Sequence, residues 1–238
     1  MRTYERPCNL SSDRGDDGEV EELTTEELPE RRTRAAGDES RRRILEKAAE
    51  LATVEGLDGL SVGRLAEASG MPKSSVYQLF GSKEQIQLGT IEAARESFTN
   101  EVVVPALSSG DPGRAQLLAL CEGFLSYVER RVFPGGCFFV GAAAEMGGRP
   151  GRVPERVAHV QQEWRDLLLF EAARAAQQDE LPPDTEPAQL AFELGAILAG
   201  TNIVSVLHDD HDVIGRARVA VRTRLGIGDR DRSARRRR

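Results

Sequence analysis

The sequence predicts an all-α protein, with a short three-helix domain near the N-terminus and a larger helical bundle behind it. Three observations predict it. Apolar residues recur at i, i+3 and i+4 spacing through most of the chain between residues 41 and 225, the period of a helix with one buried face. No stretch shows the strict apolar and polar alternation of a half-buried strand. Glycine and proline cluster between the periodic segments and leave only short connections, as in a bundle.

Residues 1–37 are rich in Asp, Glu, Arg, Ser and Gly with hardly an aromatic. Such a composition buries too little apolar area to offset ordering entropy, so residues 1–38 are expected to form a disordered acidic segment. Within it, Glu21–Leu28 reads either as a solvated charge run or as a helix formed on a partner. A helix from Arg41 carries Ile44, Ala48, Leu51 and Ala52 on one stripe and closes at Gly56. Ser61 caps the next helix, whose apolar positions are Val62, Leu65, Ala66 and Ala68; Arg64 stands where the second half of a capping box would need an acid. Gly70 ends that helix and Pro72 is preset for the first turn of a third.

On the third helix Val76, Leu79 and Phe80 face inward, which leaves Lys73, Ser74, Tyr77 and Gln78 on the outer side. Two short helices joined by a glycine-containing turn have the form of a helix-turn-helix, whose second helix enters the DNA major groove. The outer residues suit that task. Lys73 supplies a point charge, Gln78 can pair bidentately with adenine, and Ser74 and Ser75 are short donor-acceptors. Tyr77 carries a hydroxyl on a stiff arm, suited to a phosphate. Ser82 caps a further helix with Lys83 in its first turn, where free amides and the dipole favour an anion, so Lys83 is expected to clamp a phosphate.

That further helix is expected to run to about Leu107, ending near Pro105. Asp111-Pro112 starts another, bearing Leu117, Leu118, Cys121, Phe124, Leu125 and Val128. Phe133 to Gly136 breaks the chain, and an apolar helix Cys137–Met146 follows. After a loop come a long helix from about Val153 to Gln178, an apolar one from Pro187 to about Leu207, and a last one from Asp210 or Asp212 to about Leu225.

The run from Arg41 to about Ile91 resembles the DNA-binding domain of the TetR family of bacterial transcriptional repressors. Gly56, Leu60-Ser61-Val62, Leu65-Ala66, Gly70, Lys73, Val76-Tyr77, Phe80 and Ser82-Lys83-Glu84 carry the resemblance. Two positions depart from the commonest pattern: Pro72 stands where Ser or Thr often caps the recognition helix, and Ser74 where Gly is frequent. The resemblance implies a helix-turn-helix DNA-binding domain at 39–87, with Ser61, Val62 and Arg64 joining Lys73, Ser74, Ser75, Tyr77, Gln78 and Lys83 at the DNA. It also implies a ligand-binding and dimerisation domain at 88–227. A basic disordered tail, 228–238, closes the chain.

The net charge of -7 runs against a DNA binder, whose affinity rests on neutralising phosphates. Its distribution removes most of the conflict. Residues 1–38 hold 11 acids against 6 Arg, whereas 41–87 hold 7 Lys and Arg against 6 acids. Arg41, Arg42, Arg43, Lys73 and Lys83 could converge on one face, and Arg31, Arg32 and Arg34 read either as part of the solvated disordered segment or as a flexible arm reaching the DNA. Arg230 to Arg238 adds a strongly basic stretch that reads either as extra phosphate contact or as a plain tail.

The 3 Cys show no CxxC spacing, so neither a disulfide framework nor a zinc site is expected. Cys137 follows Gly135-Gly136 at a helix start, where the dipole can make a thiol reactive; a buried inert cysteine is the alternative. His208, Asp209, Asp210, His211 and Asp212 match a metal cluster in composition but also an interhelical loop with an Asp cap, and no metal or other cofactor is expected. No segment approaches the ~20 apolar residues that cross a bilayer, and the first thirty residues lack the apolar run of a signal peptide. A cytoplasmic protein without a membrane partner is expected.

The resemblance places an effector pocket in the middle helices, with Phe124, Tyr127, Cys137, Phe138, Phe139, Trp164, Leu168 and Phe192 as candidate lining; each aromatic also reads as plain core. It pairs subunits through the last two helices, with Leu194, Ile197, Leu198, Thr201, Val204, Val213, Ala217 and Val221 as candidate interface. Together these imply a homodimeric repressor released from a palindromic double-stranded operator by a small molecule. The alternative is a carrier or enzyme that uses the helical cavity and keeps the helix-turn-helix as scaffold, although no Ser/His/Asp or Cys/His set is evident.

Overall fold

A computed structural model describes residues 28–228, with side chains described from Gly37. Tertiary contacts divide the chain into a segment ending at Asp38 and a body from Glu39 onward. Within the described residues all regular structure is helical.

Helix α1 spans Leu28–Glu55. Residues 28–38 are therefore helical, which corrects the expectation that the disordered segment extends to residue 38; residues 1–27 lie outside the described residues. Once Ile44, Ala48, Ala49 and Ala52 bury one face, each residue added N-terminally gains a hydrogen bond without a new nucleation cost, and Pro29 is tolerated in the first turn.

Helices α2 (Val62–Ser69) and α3 (Lys73–Phe80) form the turn-linked pair. The caps are those read from the sequence. Ser61 Oγ accepts the Arg64 N–H, Gly70 takes the left-handed φ of 65° that a side chain would resist, and Pro72 leads into α3 with φ -59°. Helix α4 (Lys83–Phe98) is capped by Ser82, whose Oγ accepts the Gln85 N–H at 3.2 Å.

The helical run that begins with α4 ends at Ser108, close to the expected Leu107, but it is not uniform. A π-helical turn, Thr99–Val103, joins α4 directly to α5 (Val104–Ser108). Proline lacks an N–H and its ring crowds the carbonyl one turn earlier; a widened turn absorbs both defects, and Pro105 then sits in the first turn of α5.

Helices α6 (Arg114–Glu129), α7 (Phe138–Met146), α8 (Arg152–Gln177), α9 (Pro187–Leu207) and α10 (Asp212–Arg224) build the bundle. The start of α6 is satisfied from a distance. Glu171 on α8 accepts the Gly113 N–H and Glu180 accepts the Arg114 N–H, both at 2.8 Å. Helix α9 packs on α6, α8 and α10, burying Leu190, Leu194, Leu198, Thr201, Asn202 and Ser205.

By length and composition α9 could cross a membrane, with a mean hydropathy of 1.8 over its apolar window. This corrects the expectation that no segment approaches that size. Its polar residues are too few and too scattered to interrupt the apolar surface; one side packs on α6, α8 and α10 and the other leaves Phe192, Ile203 and Leu207 exposed.

Candidate functional site

The outer side of α3 is assembled as its periodicity requires. Val76 and Phe80 are buried, Leu79 is half-buried, and Lys73, Ser74, Tyr77 and Gln78 are exposed, with Ser75 at the margin. Tyr77 is 61% exposed, an unusual place for an aromatic ring unless something covers it. The Lys73 ammonium reaches back over the first turn of α2, 3.6 Å from where a Cβ on Gly63 would lie. Ser61 takes the Arg64 amide of that turn, and those of Val62 and Gly63 have no intrahelical partner, so cation and amides together suit a phosphate.

The other expected cations are committed within the chain. Arg41 donates to the carbonyl oxygen of Leu79 at the end of α3, and its guanidinium stacks 4.6 Å from the Phe80 ring centroid. Arg42 pairs with Glu39 and Glu46, and Arg43 with Glu39. Arg64 lies 2.6 Å from Glu55 and 3.3 Å from Glu67; the hydrogen bond to Glu55 holds its pKa above the usual value. Lys83 donates to the carbonyl and carboxylate of Asp58 at 2.6 and 2.9 Å. Of Arg41, Arg42, Arg43, Lys73 and Lys83, only Lys73 lacks a carboxylate or carbonyl partner among the described residues. Ser61 uses its hydroxyl as the cap of α2, and Val62 packs half-buried against the core.

A cavity of about 610 Å³ lies in the bundle. Five of the eight candidate residues line it: Phe124, Cys137, Phe139, Trp164 and Phe192. The other three lie behind the wall. Tyr127 is buried edge-on against Phe98 and Phe133, Phe138 packs on Phe139, and Leu168 is fully buried in the core. The sequence reading missed Phe98, Thr99 and Val103, brought in by the end of α4 and its π turn. Phe98 meets the Trp164 ring edge-on at 5.2 Å, and Phe124 stacks on Trp164 at 6.1 Å. At the edge, Arg95 and Glu163 pair at 2.7 Å, and His159 lies 3.2 Å from the same carboxylate.

Cys137 is buried at the head of α7, and its N–H donates to Asn202 Oδ1 at 2.8 Å. Burial pushes its thiol up to about 11, although the Val140 and Phe139 amides pull the other way. The thiol is therefore protonated at neutral pH, which favours the inert reading. Burial likewise raises Cys121, to about 12. In the 208–212 loop, Asp210 caps α10 by accepting the Asp212 and Val213 N–H groups, while Asp209 pairs with Arg131 and lies 3.5 Å from His211. Those carboxylates serve the loop and the neighbouring helix.

The interface candidates divide by face. Leu194, Leu198, Thr201, Ala217 and Val221 are buried within the protomer, and Ile197, Val204 and Val213 are half-buried. Outward on α9 stand Phe192, Ile203 and Leu207, 70%, 51% and 72% exposed, with Ala196 and Gly200 between them; Val219 is exposed on α10.

Residues 44–88 match the family described as "Bacterial regulatory proteins, tetR family", and residues 113–221 match "Tetracyclin repressor-like, C-terminal domain". The chain belongs to the TetR family. The TetR assignment makes it a DNA-binding transcription regulator that reads through a helix-turn-helix. No curated protein matches the sequence. Among solved structures it is similar to a TetR transcriptional regulator from Chloroflexus aurantiacus J-10-FL, at 26% identity and a TM-score of 0.72, over 79% of this chain and 95% of that one. AibR in complex with isovaleryl coenzyme A and operator DNA shares the fold at 20% identity and a TM-score of 0.63, over 78% and 98%. So does a TetR-family regulator from Cytophaga hutchinsonii, at 20% and 0.68, over 80% and 95%.

Proposed function

We propose that this TetR-family protein is a homodimeric repressor that leaves its palindromic operator when a small apolar molecule fills the bundle cavity. The observation that carries the reading is one chain holding both a polar face on α3 whose side chains have no partner among the described residues and a mainly apolar cavity of about 610 Å³. The size and lining are those of a small-molecule site. That AibR was crystallised with an acyl coenzyme A and operator DNA supports an effector of some kind, not that one.

Pairing through the outward face of α9 would cover Ile203 and Leu207 and close over Phe192 and Ala196, which also line the cavity, with Gly200 allowing close approach. A two-fold pair sets two recognition helices about one DNA turn, ~34 Å, or a multiple apart. Lys73 would take a phosphate, Tyr77 a second, and Gln78 with Ser74 a base edge. Ser75, Arg64 and Lys83 would support these contacts from the margin. The setting is the cytoplasm.

An effector acts only through unequal affinity for two arrangements of the protein. One that prefers the arrangement with displaced recognition helices lowers operator affinity. Gel shift against the DNA upstream of the chain's own gene tests the reading. Sequence-selective, salt-sensitive binding is expected, and binding to every duplex alike would overturn it.

A further inference from the structure

We infer that Glu145 is the positioning residue through which the cavity wall holds the DNA-reading domain, so that a group pressing on that wall loosens operator binding. This rests on the effector reading above and names the contact that carries it.

Helix α7 presents two faces. Phe139, Val140 and Ala143 line the cavity. Two residues beyond Ala143, Glu145 points to the turn between α1 and α2, its Oε2 accepting the Leu57 N–H at 2.7 Å and its Oε1 the Asp58 N–H at 2.8 Å. One carboxylate thus spans two consecutive amides, a charge-assisted and directional grip.

The turn is shaped to receive it. Gly56 has φ +83°, and a Cβ there would stand 3.1 Å from Glu145 Oε1, so glycine meets both the backbone and the space requirement. Leu57 is fully buried, and its carbonyl accepts Gln87 Nε2 of α4 at 3.0 Å. An amide in that setting finds no water if the carboxylate withdraws.

The grip continues toward DNA. Asp58 shares its carboxylate between Lys83 in the first turn of α4 and Arg149 in the loop after α7, at 2.9 and 3.1 Å. Ser61, three residues beyond Asp58, caps the helix over which Lys73 lies. A displacement of α7 by a group in the cavity therefore moves the turn that sets the start of α2. A purely adhesive Glu145 predicts something different: its loss and a change in the cavity wall act independently.

A double-mutant cycle on the full-length protein separates the two, using a duplex selected by the wild type from random sequence. Val140→Trp fills the cavity beside α7, Glu145→Gln weakens the grip, and both are measured alone and together by equilibrium binding. Ala143→Leu with Glu145→Ala forms a second cycle, with thermal melts to confirm that each variant folds. Each single change is expected to weaken binding by about tenfold or more, and the double by no more than the larger single, since contacts in series are not additive. Losses that multiply, or folded cavity-filling variants that bind like the wild type, would overturn the inference and leave the repressor reading standing. A wild type that selects no duplex overturns both.

Discussion

The Lys83 ammonium donates to both the carbonyl oxygen and the carboxylate of Asp58, at 2.6 and 2.9 Å. The cation that the sequence assigns to a phosphate thus also pins the turn behind the reading helices. The hydrogen bond from Lys83, then that from Arg149, hold the Asp58 carboxyl below the usual carboxylate range. A carboxyl depressed on folding contributes stability above its unfolded pKa and loses it as pH falls through the folded value. Asp58→Asn should therefore be less stable than the parent at neutral pH, with the gap closing below about pH 4. Thermal unfolding across that range checks it, and a gap independent of pH would count against the pairing.

Lys73, Tyr77 and Gln78 should separate in how they fail. Lys73→Ala is expected to weaken binding to all duplexes and lower the salt slope by about 1. Gln78→Ala should relax preference at one base position, costing about 1–3 kcal/mol for the favoured base. Tyr77→Phe should weaken binding without altering preference. Anisotropy titrations at several salt concentrations, on operators changed one base at a time, distinguish the three.

Glu171 is buried and accepts the Gly113 N–H at 2.8 Å. Glu171→Ala leaves that amide without its partner, and a loss of about 1.5–3 kcal/mol is expected in urea unfolding. Glu180→Ala, at a more exposed position, should cost less. Equal losses would show that burial does not set the difference.

Burial pushes the Cys137 thiol up to about 11, so little thiolate exists at neutral pH to react. In a protein with Cys8 and Cys121 changed to serine, iodoacetamide should label Cys137 slowly when native and rapidly in denaturant. Rapid native labelling would reopen a sensing role.

Local signals were the legible ones. Ser61, Ser82 and Asp210 cap helices whose amides lie two or three residues away, so spacing reveals the first two and narrows the third to Asp210 or Asp212. Glu171 caps a helix start 58 residues earlier, and no local pattern encodes that. Phe98 ends α4, and Thr99 and Val103 line the cavity from a π turn before Pro105 that apolar periodicity does not reveal. On α9 the outward side is nearly as apolar as the inward one, so periodicity cannot tell Leu194, which is buried, from Ile203, which is exposed. The charge pattern was legible as composition but not as pairing, since Arg41 turns to Leu79 and Phe80.

Footprinting on the selected operator tests the central claim most directly. The account expects two protected half-sites related by a two-fold axis, their centres ~10 base pairs apart or a multiple of that, with protection lost in Lys73→Ala. A single unsymmetrical footprint, or protection that ignores sequence and survives that substitution, would contradict it.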